Sequence, residues 1–160
     1  MIQRIQSLLL FVAAVISVVV CFINVGHIDL NTETYYVFDA FTLKEVNDGQ
    51  LHVHSHTTYI ALLWMASAIL SLVTIFLYKN RPLQVKINGV NMLVMLAALV
   101  VMLYIYPNLI FEKQEWFKNG MIVNFNYWIS LSLIPAVCLV IANNAIKRDE
   151  KKVRAADRLR

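Results

Sequence analysis

The chain has 160 residues, enough for one domain, and is 59% hydrophobic but only 15% charged. Soluble domains carry about 25% charged residues, so this composition, with a mean hydropathy of +0.63, excludes an ordinary water-soluble globule. The formal charge of +4 is no sign of nucleic-acid binding, because the basic residues are distributed as membrane topology would place them.

Four uncharged stretches account for the composition: 5–28, 57–78, 87–111 and 119–146, each of at least 22 residues. A helix rises about 1.5 Å per residue, so about 20 apolar residues cross a hydrocarbon core of about 30 Å. Only helices and closed barrels satisfy the backbone in lipid. The runs are continuous rather than alternating, which argues against a barrel. The expected fold is an all-α membrane protein: an antiparallel bundle of four transmembrane helices, about 5–25, 57–78, 87–107 and 126–146. A small outer β-hairpin and a helical C-terminal extension complete a single domain over residues 1–160.

The first helix is expected to be permanent. Its apolar run is too long for a signal-peptide core, and Val18, Val19 and Val20 stand where a lipoprotein site before Cys21 would need small residues. Ala13 and Ser17, four apart, permit close helix contact, as do Ser67 and Ser71 in the second helix. Cys21 and Cys138 fall at opposite depths, which argues against a disulfide.

The outer loop, 29–56, holds the turn signal Asn47-Asp48-Gly49. Strand formers Tyr35 to Phe38 precede it, and Leu51 and Val53 follow, so a hairpin is expected. Such a hairpin is marginal alone and must pack on helix ends or a partner. The inner loop 79–84 is short enough to make helices two and three antiparallel neighbours, with Pro82 in the first turn of helix three. Phe76 and Tyr78 on one side, and Tyr104, Tyr106, Trp116, Tyr127 and Trp128 on the other, suit membrane interfaces. Pro135 is expected to kink helix four. The tail, 147–160, contains neither Gly nor Pro and should prolong that helix, with Glu150 and Arg154 as an i,i+4 pair.

Orientation follows from Lys and Arg. Arg4, Lys79, Arg81, Lys86 and seven tail residues lie on one side, against Lys44, Lys113 and Lys118 on the other. The first side should be cytoplasmic, with both termini there.

Three segments resemble a family of uncharacterised four-helix inner-membrane proteins of the Bacteroidota. They are Met1-Ile2-Gln3-Arg4-Ile5-Gln6, the run Phe76-Leu77-Tyr78-Lys79-Asn80-Arg81-Pro82-Leu83-Gln84, and the end from Ala142-Asn143-Asn144 to Glu150 with Asp157-Arg158-Leu159-Arg160. The resemblance spans the chain and implies a bacterial inner (cytoplasmic) membrane. That family has no established activity, so no catalytic residue carries over. The outer hairpin lies outside the resemblance.

Chemistry is sparse. His52, His54 and His56 alternate along the expected strand and would share one face, opposite Leu51 and Val53. His52 and His54 are close enough to chelate one zinc or copper ion. His56 is about 13 Å from His52 in an ideal strand, so further ligands would come from His27, Asp29 or Asp48. The alternative is a solvated histidine face. Haem is unsupported, because His27 has no evident histidine partner.

The polar residues noted within the helices are Asn91, Ser130, Ser132, Asn143 and Asn144, with no Asp, Glu, Lys or Arg in the four cores. Ion-coupled transporters need such groups near the midplane. The chain shows no Walker-type loop, no His-Glu-x-x-His, no Gly-x-Ser-x-Gly and no CxxC, so neither an enzyme nor a cofactor is expected.

The basic tail is interrupted by Asp149, Glu150 and Asp157. Attraction to anionic lipid would not need those acids. A docking helix would use them, with Arg154, Asp157 and Arg158 fixing register and Ile146, Val153 and Leu159 making apolar contact. The expected role is a non-catalytic accessory or adaptor subunit of an inner-membrane complex, with secretion or translocation as one setting. The alternative is a small channel or transporter component. Expected partners are the lipid bilayer and other inner-membrane proteins; the sequence names no small-molecule substrate.

Overall fold

A computed structural model describes residues 2–29, 34–47, 50–105 and 123–157. Among the described residues there are four α-helices: α1 (Ile2–Val20), α2 (Thr58–Phe76), α3 (Arg81–Val100) and α4 (Leu133–Asp157). Three helical segments, Thr58–Lys79, Arg81–Ile105 and Tyr127–Val153, are long and apolar enough to cross a membrane, while the apolar helix Ile5–Val20 is shorter.

The distribution of apolar side chains is compatible with a bundle that faces lipid. Leu10, Ala13, Trp64, Met95, Ala98, Leu139 and Ala142 are buried between the helices. Leu8, Phe11, Leu62, Ile69, Leu93, Leu96, Val137 and Ile141 are exposed around the outside. In water such a continuous apolar surface would drive association; in a bilayer it is the solvated surface. Phe76 and Tyr78 near one end, and Tyr104, Tyr127 and Trp128 near the other, are exposed as interfacial aromatics should be.

The first helix stops earlier than its uncharged run predicts. It ends at Val20 rather than near residue 25, and Gly26–Asp29 is a strand, β1. Four more strands follow: β2 (Thr34–Phe38), β3 (Thr42–Asn47), β4 (Gln50–His56) and β5 (Val123–Phe125). They form one antiparallel sheet in the order β4-β3-β2-β1-β5. The expected hairpin is therefore one corner of a larger sheet. Asn47 does pair with Gln50, but the strand facing β4 is 42–47, and Tyr35 to Phe38 form the next strand in. β1 pairs with β5 about 100 residues away, a contact that local signals do not encode.

Gly26 is fixed by this arrangement. A Cβ there would lie 2.8 Å from the Asn124 carbonyl oxygen and 3.0 Å from the Phe38 ring. Only glycine lets β1 fit between β2 and β5 at this point.

The sheet closes the bundle at one end. Ladder partners project to the same face, so Phe38↔Leu43 and Tyr36↔Glu45 define a bundle face. Tyr36, Phe38 and Leu43 are buried there in one core with Cys21, Val25, Ile60, Trp64 and Met102. Phe22 packs on Phe41 with ring centroids 5.7 Å apart. The β2–β3 turn also supplies partners to the start of α2, since Ala61 N–H donates to the Ala40 carbonyl and Thr57 N–H to that of Phe41. These answer donors that a helix start leaves open.

At the other end, Leu77–Lys79 is a 3₁₀ turn, and α3 begins at Arg81 rather than near residue 87. Asn80 caps it, accepting from Leu83 N–H at 3.5 Å, and Pro82 lies in the first turn as expected. The far end of α3 passes into a π-helical stretch, Val101–Ile105. Helix four opens with a 3₁₀ segment, Tyr127–Ser132, before α4 starts at Leu133. Pro135 thus falls in the first turn of the α-helix and not in its interior, where its missing N–H is tolerated. The second outer loop, with Tyr106, Pro107 and Trp116, lies outside the described residues.

Candidate functional site

Side-chain chemistry is concentrated in a polar seam through the bundle, at the root of the C-terminal helix, and on the sheet. The seam begins with Ser67 and Ser71, one turn apart on α2 and fully buried. Ser67 Oγ donates to Asn91 Oδ1 at 2.7 Å, and Asn91 Nδ2 donates to Ser71 Oγ at 2.8 Å. One amide on α3 thereby bridges two hydroxyls on α2. Asn88, one turn back, donates through Nδ2 to the Leu139 carbonyl of α4 at 3.2 Å. Gln84 Nε2 reaches the Thr74 carbonyl of α2 at 3.1 Å. The polar face of α3 thus ties α2 to α4 through side chains buried from solvent.

In the sequence, Ser67 and Ser71 stand out only as small residues and Asn91 only as a lone polar residue. Asn88 and Gln84 belong to the same seam. Their signal is the spacing 84, 88, 91, a polar stripe along one face of an apolar helix. Two amide oxygens on the α3–α4 side, Asn88 Oδ1 and Asn143 Oδ1, are buried without a protein partner among the described residues. They are acceptors for a small donor such as water.

Ile146, expected to face a partner, is buried in the bundle, and so is Asp149 three residues on. Gln6 Nε2 of α1 donates to Asp149 Oδ2 at 2.6 Å, across 143 residues of sequence. Arg81 Nη1, at the start of α3, donates to the Asp149 backbone carbonyl at 3.3 Å. Asp149 therefore joins three helices in one clasp, and its charge serves the bundle rather than a free tail. Beyond it α4 continues to Asp157, with Lys151, Lys152 and Val153 exposed. Arg154 and Asp157 lie on this helix with side chains outside the described set, and Arg158 and Leu159 fall beyond the described residues.

The sheet carries the histidines. His52 is exposed on β4 opposite Glu45, and His56 is exposed opposite Thr42. The ladder places Val53 opposite Lys44 but Ser55 opposite Leu43, so His54 is the extra residue of a bulge. Four residues of β4 therefore span only three of β3. His52 falls on the bundle face with Glu45, and His56 on the outer face with Thr42. The expected single histidine face is not formed, because a bulge resets the alternation. The His54 side chain is outside the described set, as is Asp48. His27 pairs with Val37 and Asn124 in the middle of the sheet and lines a concavity of about 350 Å³ with Asn24, Tyr35 and Asn126. Among the described residues no group of three His, Cys, Asp or Glu is placed to hold a metal ion.

Two titratable groups in the sheet are shifted by their surroundings. Burial pushes the Asp39 carboxyl up, but the Lys44 ammonium at 2.8 Å and the Thr42 and Phe41 amides outweigh it and hold the carboxyl below its ordinary value. Burial, with Glu45 nearby, pushes the Tyr36 phenol up to about 12. Cys21 and Cys138 are both free and buried.

A bundle of four apolar helices with a buried amide seam, capped at one end by an antiparallel sheet, defines the class. Residues 2–159 match the family described as Domain of unknown function (DUF4293), and the chain belongs to that family. A comparison with curated proteins returns no match.

Proposed function

We propose that this chain is a non-catalytic accessory or adaptor subunit of a protein complex in a bacterial inner membrane, in keeping with the resemblance to Bacteroidota proteins. It crosses four times with both termini in the cytoplasm. The Lys and Arg asymmetry supports that orientation. The 19 residues of α1 would reach about 28 Å, close to the thickness of a hydrocarbon core. Single cysteines at Thr34 and Lys118, in a background without Cys21 and Cys138, are expected to label from outside intact cells. One at Ala156 is expected to label only after lysis, and its labelling in intact cells would reverse the orientation.

The observation that carries the adaptor reading is the rooted tail. A segment that only attracts anionic lipid needs net charge and no fixed direction. Here Asp149, Gln6 and Arg81 fasten the helix where it leaves the bundle, and the helix continues to Asp157 with Lys151 and Lys152 exposed. Such a rod presents a defined face to a cytoplasmic partner. Arg makes planar bidentate bonds that Lys cannot, so Arg154→Lys, Arg158→Lys and Asp157→Asn are each expected to weaken co-purification of a partner while membrane abundance stays level. The measurement is quantitative mass spectrometry of tagged protein from native membranes. An unchanged set of partners in all three variants, or no partner for the wild type, would leave the tail as a lipid anchor.

One observation favours the channel or transporter component as a second reading: the two unpartnered amide oxygens of Asn88 and Asn143 at helix depth. Solute flux in reconstituted vesicles, lost in Asn88→Leu, would support it.

A further inference from the structure

Helices α3 and α4 leave a groove of about 220 Å³ between them, and every residue lining it is apolar, among them Leu93 and Leu96 on α3 and Ala136 and Val140 on α4. Leu93, Leu96 and Val140 are exposed along it. Residues three and four apart share one helix face. The α3 wall therefore continues back through Gly89 to Lys86, and the α4 wall continues forward through Asn144 to Lys147. Arg81 bonds to the Asp149 carbonyl and Asn88 to that of Leu139, so the two helices run antiparallel. Both lysines thus fall at the tail end of the groove, about one turn apart in depth. Both are exposed, and neither is in an ion pair among the described residues. The acids closest to Lys147 in sequence are occupied, since Asp149 accepts from Gln6 and Glu150 is engaged in an interaction of its own. Gly89 keeps the way from groove to lysines open, because a Cβ there would meet nothing within 4 Å.

We propose that this groove is a binding site for an anionic phospholipid, with one acyl chain against Leu93, Leu96 and Val140 and the phosphate between Lys86 and Lys147. The inference rests on the membrane reading and is independent of the adaptor reading. The groove walls offer no polar contact, which suits a hydrocarbon chain. Lys86 is seven residues before Leu93, and Lys147 is seven residues after Val140. Each lysine therefore lies two turns, roughly 10 Å, beyond the groove on its own helix. Lys86 is in the second turn of α3, so positive charge is offered close to where the helix begins. A phospholipid carries its charge at that end of its chain. A helix of another protein would have to bring a carboxylate to the same depth, which is costly in lipid. A neutral lipid would leave two exposed lysines, one from each helix, unanswered. Diffuse attraction of the tail to anionic lipid depends on net charge alone. This site depends instead on two particular lysines and on the space beside Gly89.

The test uses the full chain in nanodiscs of phosphatidylcholine doped with phosphatidylglycerol, with native mass spectrometry counting the lipid that each released chain retains. Wild type is expected to retain phosphatidylglycerol in preference to phosphatidylcholine. Lys86→Gln with Lys147→Gln should lower that retention on the order of tenfold. Lys151→Gln with Lys152→Gln removes the same charge from the tail and should leave it near wild type. Gly89→Leu fills the open space with both lysines in place, and should also lower retention while the helical circular-dichroism signal is kept. Equal loss from the two lysine pairs would reduce the contact to general attraction and overturn the site. So would retention of phosphatidylcholine as readily as phosphatidylglycerol, or full retention in Gly89→Leu. Failure of the wild-type chain to enter nanodiscs of either composition would overturn the membrane reading, and this site with it.

Discussion

The two ends of the bundle are closed by different means. At the sheet end, the strands of 26–56 and the strand 123–125 are joined by main-chain hydrogen bonds, and the β2–β3 turn feeds the first amides of α2. At the tail end, α1, α3 and α4 meet through the side chains of Gln6 and Arg81 on Asp149. A backbone ladder spreads its stability over many small contributions, whereas a buried carboxylate concentrates it in one group. The sheet end should yield to steric intrusion and resist loss of single polar groups, and the tail end should do the reverse.

Four experiments sharpen this contrast. The largest effect is expected from Gly26→Ala, whose new Cβ meets the Asn124 carbonyl at 2.8 Å. Overpacking of this kind typically costs about 1–3 kcal/mol, and thermal unfolding in detergent should show it as a lower midpoint. Asp149→Ala should follow, at about 2 kcal/mol, because it leaves the buried Gln6 amide without its acceptor. Asp149→Ala with Gln6→Leu should recover part of that loss. An uncoupled pair would refute the clasp.

Between the two ends, a double-mutant cycle of Asn91→Ala and Ser67→Ala should give a coupling of about 0.6 kcal/mol, typical of polar contacts between membrane helices. The smallest effect is expected from Asp39→Asn, and it depends on pH. The folded carboxyl titrates below its unfolded value. Its stabilisation is therefore present above the ordinary carboxylate range and lost as pH falls through the depressed folded value. Wild type and Asp39→Asn should differ in midpoint at neutral pH and converge in acid.

The same contrast explains what could be read from the sequence. The uncharged runs located α2 and helix four closely, since composition alone decides whether a segment can remain in lipid. Boundaries were less legible. Residues 21–25 are as apolar as those before them, but the chain leaves the helix at Cys21 because β1 is wanted by β2 and β5. Asn47-Asp48-Gly49 marked a hairpin correctly, whereas the choice of 42–47 over 35–38 as its other arm depends on packing of both faces. The histidine alternation was visible and misleading, because nothing local announces the bulge at His54. In the seam, Asn91 stood out as a polar residue, yet its bond to Ser67 and Ser71 required knowing which face of α2 meets α3. The charge pattern of the tail was plain, but it gave no reason to separate Asp149 from Glu150. That distinction comes from Gln6, at the other end of the chain.

The measurement closest to the central claim is amide hydrogen exchange by mass spectrometry on the full chain in nanodiscs, comparing wild type with Gly26→Ala and Asp149→Ala. Gly26→Ala is expected to release protection in β1, β2 and β5 together and to leave 147–157 unchanged. Asp149→Ala is expected to release the first turns of α1 and the helix beyond Ile146 while the strands stay protected. Loss of protection at both ends from either substitution would contradict the account, since it would mean that one cooperative core, and not two separate closures, holds the bundle.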